Sequence, residues 1–206
     1  AARYSIVTSG AGALEEPERR LLVQAIEAMV QELPVKPCAS LGMLSRADLA
    51  RLRDAGLRRY HHNLETAESF FPQICTTQSY GDSLATIEAA RELGLSLCVG
   101  GLFGLGESPK QRVELLWTLR ELGVESVPIN FLNPIPGTRL ESVERLAPRD
   151  CLKVAAVARL LMPHREIRVC GGREVNLRDL GSWLLLAGVD GLMVGGYLTT
   201  PGRGAA

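Results

Sequence analysis

Three cysteines, Cys38, Cys98 and Cys170, each stand in a short β-prone run shortly before a glycine or another small residue. Thiols on three separate strands of one parallel sheet converge only if the sheet closes, because inward-pointing side chains then share one interior. Converging thiolates are soft ligands, suited to zinc or to an iron–sulfur cluster. Arg168 lies two residues before Cys170, so strand alternation sends both side chains to one face. An arginine there suits an anionic cluster or a carboxylate. The same pattern is equally met by three independent core cysteines. Cys75, after "FFPQI", and Cys151, on a helical stretch, read as buried inert thiols.

The stretch "RYHHNLETAESFFPQICTTQSY" adds a second set of polar groups where an apolar strand should finish. Burying them costs free energy unless each finds a partner. Alternation places His61, Asn63 and Glu65 on one face and His62 and Leu64 on the other. Asn63 and Glu65 together offer donors and acceptors to a ribose diol or an amino-acid moiety. His61 and His62 read as structural hydrogen-bonding groups. Asn130, within the apolar "VPINFLNPIPGT", repeats the theme, and the Pro and Gly residues after it shape a rigid loop. "GGLFGLGE" allows close backbone approach at Gly100, Gly101 and Gly104, with Glu107 near the next helix. Ordinary strand-to-helix turn chemistry explains it too. It lacks the GxGxxG spacing and no Walker lysine follows, so it does not decide the ligand.

These residues are spaced by a repeating unit. Landmarks in successive β-prone runs (Ser5, Cys38, Asn63, Cys98, Asn130, Arg168, Val194) are 25 to 38 residues apart. Between most runs lie amphipathic stretches. "EEPERRLLVQAIEAMVQEL" sets Leu22, Ile26, Met29 and Leu33 on one stripe, and "RADLARLRDAG", "DSLATIEAARELG", "SPKQRVELLWTLRELG" and "APRDCLKVAAVARLLM" behave alike. Three of the five end at glycine, a common helix stop. That rhythm predicts βα units with parallel strands, in one α/β domain over 1–206. Seven strands fit a doubly wound sheet or most of an eight-stranded barrel, and both bind ligands at the strands' C-terminal ends.

Bulk composition narrows the partners. The 206 residues are 46% hydrophobic, enough for one sizeable core, and 23 basic residues cancel 23 acidic ones. Nucleic acid and an anionic membrane surface are therefore not expected as partners. The apolar "WLLLAGVDGLMVGG" is interrupted by Asp190 and glycines, so no membrane span is expected. "AARYSIVTSG" carries no secretion signal, and five widely spaced cysteines argue for thiols in a reducing, cytoplasmic setting.

In order, "YHHNLET", "ICTT", "CVGGLFGLGE", "SVPINFLNPIPGT", "GGRE" and "YLTTPG" closely resemble the biotin synthase family of radical S-adenosyl-L-methionine (AdoMet) enzymes, from about Arg3 to Gly202. The resemblance implies a (β/α)8 TIM-type barrel of the radical SAM type, a [4Fe-4S] cluster binding AdoMet, and a second, auxiliary cluster, [2Fe-2S] or larger. It implies sulfur insertion into dethiobiotin to form biotin, an electron donor such as flavodoxin or ferredoxin, and a possible homodimer. Carried over residue by residue, Asn63 and Glu65 contact AdoMet. Gly101 and Gly104 line the adenosine, and Asn130 lies against substrate or AdoMet. Cys38, Cys98 and Arg168 match auxiliary-cluster ligands.

Two departures stand out. The family holds its AdoMet cluster in a CxxxCxxC loop after the first strand. Here the two cysteines nearest in sequence, Cys151 and Cys170, are nineteen apart. The start matches the family's second strand, so the chain reads as a fragment with strands 2 to 8 of an incomplete barrel, not expected to cleave AdoMet as given. Ser5 stands where many relatives carry a cluster cysteine, and a hydroxyl is a harder, less acidic ligand. Cys170 is the expected compensation, completing a set of Cys38, Cys98 and Cys170 with Arg168 or Ser5. The alternatives are another radical AdoMet enzyme on the same barrel, a catalytically inactive nucleoside-binding remnant, and a metal-free barrel enzyme.

Overall fold

The computed structural model describes residues 2–8 and 15–196. "YLTTPG" therefore lies outside the described residues, as do Ser9 and Gly10. The chain divides into two compact units, one of residues 1–63 with 78–98, the other of 64–77 with 99–206.

The first unit contains β1 (Arg3–Val7), α1 (Glu16–Glu32), β2 (Lys36–Ser40), α2 (Arg46–Asp54), β3 (Arg59–His61), α4 (Tyr80–Glu92) and β4 (Ser96–Cys98). Its strands pair in parallel in the order β1, β2, β3, β4. The helix stops follow the expected chemistry: Gly56 after α2 and Gly94 after α4 both have positive φ, +112° and +75°. Ser45 and Ser79 cap α2 and α4 by accepting from the amides of Asp48 and Asp82. Leu22, Ile26 and Met29 are buried as the stripe predicts. Leu33 departs from it. It caps α1 with extended backbone, so its side chain leaves the helical face and is 48% exposed.

The second unit holds the short α3 (Phe71–Ile74), β5 (Gly101–Phe103), α5 (Pro109–Glu121), β6 (Ser126–Phe131), α6 (Pro148–Leu161), β7 (Glu166–Val169), α7 (Arg173–Leu177), α8 (Trp183–Leu186) and β8 (Gly191–Leu192). Strands β5 to β8 again pair in parallel with their chain neighbours. All six residues of β6 are buried, as expected for a parallel strand covered on both faces. Gly123, at +64°, ends α5. No described helix is long and apolar enough to cross a membrane.

The run "LSLCVGGLFG" is two strands, β4 and β5, not one. The break falls opposite Pro128 of β6, which has no N–H to give a ladder bond. A Cβ on Gly100 would sit 1.8 Å from the Pro128 carbonyl oxygen. The chain passes this point only without a side chain. Val194, expected within the last strand, lies just beyond β8.

Two glycines separate strain from collision. Gly94 (φ +75°) has open space around a would-be Cβ, whereas at Gly172 (φ +73°) that atom would lie 1.8 Å from the Phe131 carbonyl oxygen. Gly94→Ala is expected to cost about 1 kcal/mol, and Gly172→Ala more than about 4 kcal/mol. Urea midpoints at an unchanged m-value check the pair.

Candidate functional site

Register assembles a polar face in the first unit. Cys38 is the partner of Ser5 in β1 and of Arg59 in β3, and His61 is the partner of Cys98. Paired residues on adjacent parallel strands, and residues two apart on one strand, share a face. Ser5, Cys38, Arg59, His61 and Cys98 therefore line a single surface of the sheet. Both thiols are buried, Cys38 at 6% and Cys98 at 5% exposure. Nδ1 of His61 lies 3.3 Å from Sγ of Cys98. Nε of Arg59 donates to Oγ of Ser96 at 3.1 Å. Burial pushes the Cys38 thiol up from its ordinary value, and a hydrogen bond from Arg3 with the charges of Arg3 and Arg59 pulls the other way. Two buried sulfurs, one of them acted on by two guanidinium groups, suit a soft, anionic group held through thiolates. Among the described residues no group of three or more His, Cys, Asp or Glu side chains could hold a metal ion alone. The thiol pair is what this unit offers.

Arg168 and Cys170 belong to the second unit. Nη2 of Arg168 donates to Oγ of Ser126 at 2.9 Å, and its Nε lies 3.4 Å from a Glu166 carboxylate oxygen. Cys170, half-buried, follows the end of β7, and its amide donates to Ile129 O at 2.8 Å. Cys151 sits fully buried on α6, where burial pushes its thiol up to about 12. That is an inert core thiol. Cys75 is only half-buried, with Sγ 3.6 Å from Oγ1 of Thr77.

The "YHHNLET" face is not continuous. Strand β3 stops at His61, and Glu65 takes a left-handed backbone with φ +64°. Period-two alternation therefore does not carry from His61 through Asn63 to Glu65. Glu65, like Gly101, is placed in the second unit, whereas Asn63 ends the first segment of the other. The Glu65 carbonyl accepts from Leu102 N at 2.7 Å. A Cβ on Gly101 would lie 2.7 Å from that oxygen, so Gly101 is required there.

Asn130 is 8% exposed, its Oδ1 accepting from Gly171 N at 2.9 Å and its Nδ2 lying 3.4 Å from Gly101 O. It ties the end of β7 to the start of β5. Gly104, at φ +93°, begins a turn closed by Glu107. The Glu107 carboxylate accepts from Gly104 N at 2.9 Å, Leu105 N at 2.6 Å and Arg112 Nε at 2.7 Å. Sequence reasoning singled out Glu107 without this role. It missed Arg3 and Arg59 on the thiol face. Arg59 shares strand parity with His61 in "RRYHHN", a signal that was available.

A sequence model of the Radical SAM superfamily matches residues 3–119. The chain belongs to the radical SAM superfamily. A second model, the Biotin and Thiamin Synthesis associated domain, matches residues 128–206 of this radical SAM chain. It is 54% identical over 203 residues to a biotin synthase of Trichlorobacter lovleyi, covering 98% of the chain and 61% of that protein. To a biotin synthase of Geotalea uraniireducens it is 51% identical over 202 residues, with the same coverage. The chain thus spans about 61% of the length of these curated relatives. Among solved structures it resembles methylornithine synthase (PylB), with TM-score 0.71 and 22% identity over 86% of this chain and 52% of that one. It also resembles the FeFe-hydrogenase maturase HydG from Carboxydothermus hydrogenoformans, with TM-score 0.72 and 19% identity over 98% and 51%. These likenesses show the α/β fold of the radical SAM barrel type.

Two expected outcomes follow from the geometry. Glu107→Gln sets an amide NH2 against backbone donors and leaves Arg112 without its counter-charge, at a cost of about 3 kcal/mol. Urea unfolding checks it, and hydrogen exchange at Gly104 and Leu105 should quicken. Burial, with His61 beside it, pushes His62 down from 6.5 to about 4. The unfolded chain therefore takes up a proton that the folded ring refuses. The stability at stake is full above about pH 6.5 and is lost as pH falls toward 4, by up to about 3 kcal/mol. Urea melts of His62→Gln should lose that part of the acid slope.

Proposed function

We propose that the protein works as a biotin synthase, inserting sulfur into dethiobiotin to form biotin in an AdoMet-dependent radical reaction. The observation that carries this reading is the pair of buried thiols, Cys38 and Cys98, on one polar face of a chain half identical to biotin synthases. The reading assigns these two cysteines to an auxiliary iron–sulfur cluster, and their chemistry supports it. When bound, AdoMet on a [4Fe-4S] cluster supplies a radical for hydrogen removal, and the auxiliary cluster supplies sulfur.

The chain's own residues bind and orient. Arg3 and Arg59 offset the negative charge of sulfur ligands near Cys38. The reading assigns the backbone at Gly101 and Gly104 to the lining of the adenosine, and Asn130 steadies that backbone through Gly171 and Gly101. Glu107, with Arg112, keeps the Gly104 turn in one conformation. Glu65 is assigned to AdoMet, and its left-handed backbone marks a break from the regular strand path. Flavodoxin or ferredoxin serves as electron donor, and a homodimer in the cytoplasm is the working assembly.

Anaerobic reconstitution with ferrous iron and sulfide tests the site. The parent chain should turn brown and retain both elements, whereas Cys38→Ala should retain at least tenfold less at an unchanged circular dichroism spectrum. A colourless parent chain sinks the cluster assignment. Product analysis with dethiobiotin, in a protein carrying this chain together with a CxxxCxxC loop, tests the reaction.

A further inference from the structure

The two sulfurs of the thiol face have different neighbours. Cys38 is acted on by Arg3 and Arg59. Cys98 is met by an imidazole, with Nδ1 of His61 at 3.3 Å from its Sγ. This contact is built into the backbone. His61 and Cys98 are register partners across β3 and β4. The following amide, His62 N, donates to the Cys98 carbonyl at 3.2 Å, and Ser96 N donates to Arg58 O at 3.0 Å. Ladder bonds thus flank the pair on both sides and hold the two residues directly opposite each other, with both side chains on one face.

The chemistry of the contact depends on which partner carries hydrogen. A thiol can donate to a bare ring nitrogen, or a ring N–H can donate to sulfur. A sulfur bound to iron has given up its proton, so in that state only the ring can donate. Hydrogen bonds onto cluster sulfurs stabilise the more negative, reduced form and are one of the levers that set reduction potential. Outer partners of this kind also fix ligand orientation.

We propose that His61 is a positioning residue for the auxiliary cluster: its Nδ1–H donates to Sγ of iron-bound Cys98, holding that sulfur and raising the cluster's reduction potential. This rests on the reading that Cys38 and Cys98 hold the cluster. Sequence alternation assigned His61 only a structural hydrogen bond; its partner in the fold is a sulfur.

The test compares parent, His61→Phe and His61→Asn after anaerobic reconstitution with ferrous iron and sulfide. The readouts are iron and sulfide per chain, circular dichroism, resonance Raman and a redox titration followed by absorbance. All three proteins should hold equal iron and sulfide. His61→Phe, a ring without a donor, should lower the potential so that the oxidised-to-reduced ratio at fixed potential rises about tenfold, which is about 59 mV for a one-electron couple. Its iron–thiolate stretching frequencies should shift as well. His61→Asn carries an amide donor and should recover most of both changes. Should His61→Phe fail to fold, His61→Leu takes its place. Unchanged potential and frequencies overturn the proposal and leave the cluster reading standing. Loss of iron from a folded His61→Phe makes His61 a ligand and overturns it too. A parent chain that binds no iron and sulfide removes the cluster reading and the proposal together.

Discussion

Parallel strand register in the first unit decides which polar side chains share a face. Because side chains alternate, a slip of one residue between β3 and β4 would turn every side chain of the slipped strand to the opposite face. Cys98 would then lose His61, and a slip of β2 would part Cys38 from Arg59. The register is held by burial on both sides. Tyr60, between Arg59 and His61, points the other way, is 1% exposed, and donates from its hydroxyl to Gly42 O at 2.7 Å. Leu97, beside Cys98, is 2% exposed. Apolar residues on one face thereby fix polar ones on the other.

The second unit meets a related constraint by different means. Several of its buried polar side chains hydrogen-bond backbone groups near strand ends. Asn130 serves Gly171 and Gly101, Asn176 donates to Leu132 O at 2.9 Å and Gly172 O at 2.8 Å, and Glu107 closes the Gly104 turn. Each spans a place where a strand ends or a ladder fails. An unpaired backbone group at such a place costs about 1–3 kcal/mol. Side-chain hydrogen bonds therefore tie the loops that follow these strands to the sheet. Loops at strand C-termini are where α/β barrels build ligand sites.

Several departures from regular structure fall at strand ends. Glu65 is one of two described non-glycine residues with positive φ. Gly100, Gly101 and Gly172 each stand where a Cβ would come within 2.7 Å of backbone oxygen. Helices α2, α4 and α5 follow ordinary rules, with serine caps and glycine stops. The contrast is physical: helix ends are set by local hydrogen bonding, whereas close backbone approach has to be imposed by a neighbouring strand.

The amino-acid sequence by itself determined the βα rhythm, the helix stops at Gly56, Gly94 and Gly123, the buried stripe of Leu22, Ile26 and Met29, and the strand positions of Cys38 and Cys98. These features depend on residues within a turn or two of each other, so a linear reading reaches them. The exposure of Leu33, the break opposite Pro128, the left-handed turn at Glu65 and the pairing of His61 with Cys98 were decided only by the tertiary structure. Each depends on a strand or turn remote in the chain, or on where the chain leaves an element. Strand register, unlike helical periodicity, is a relation between segments that no single segment contains.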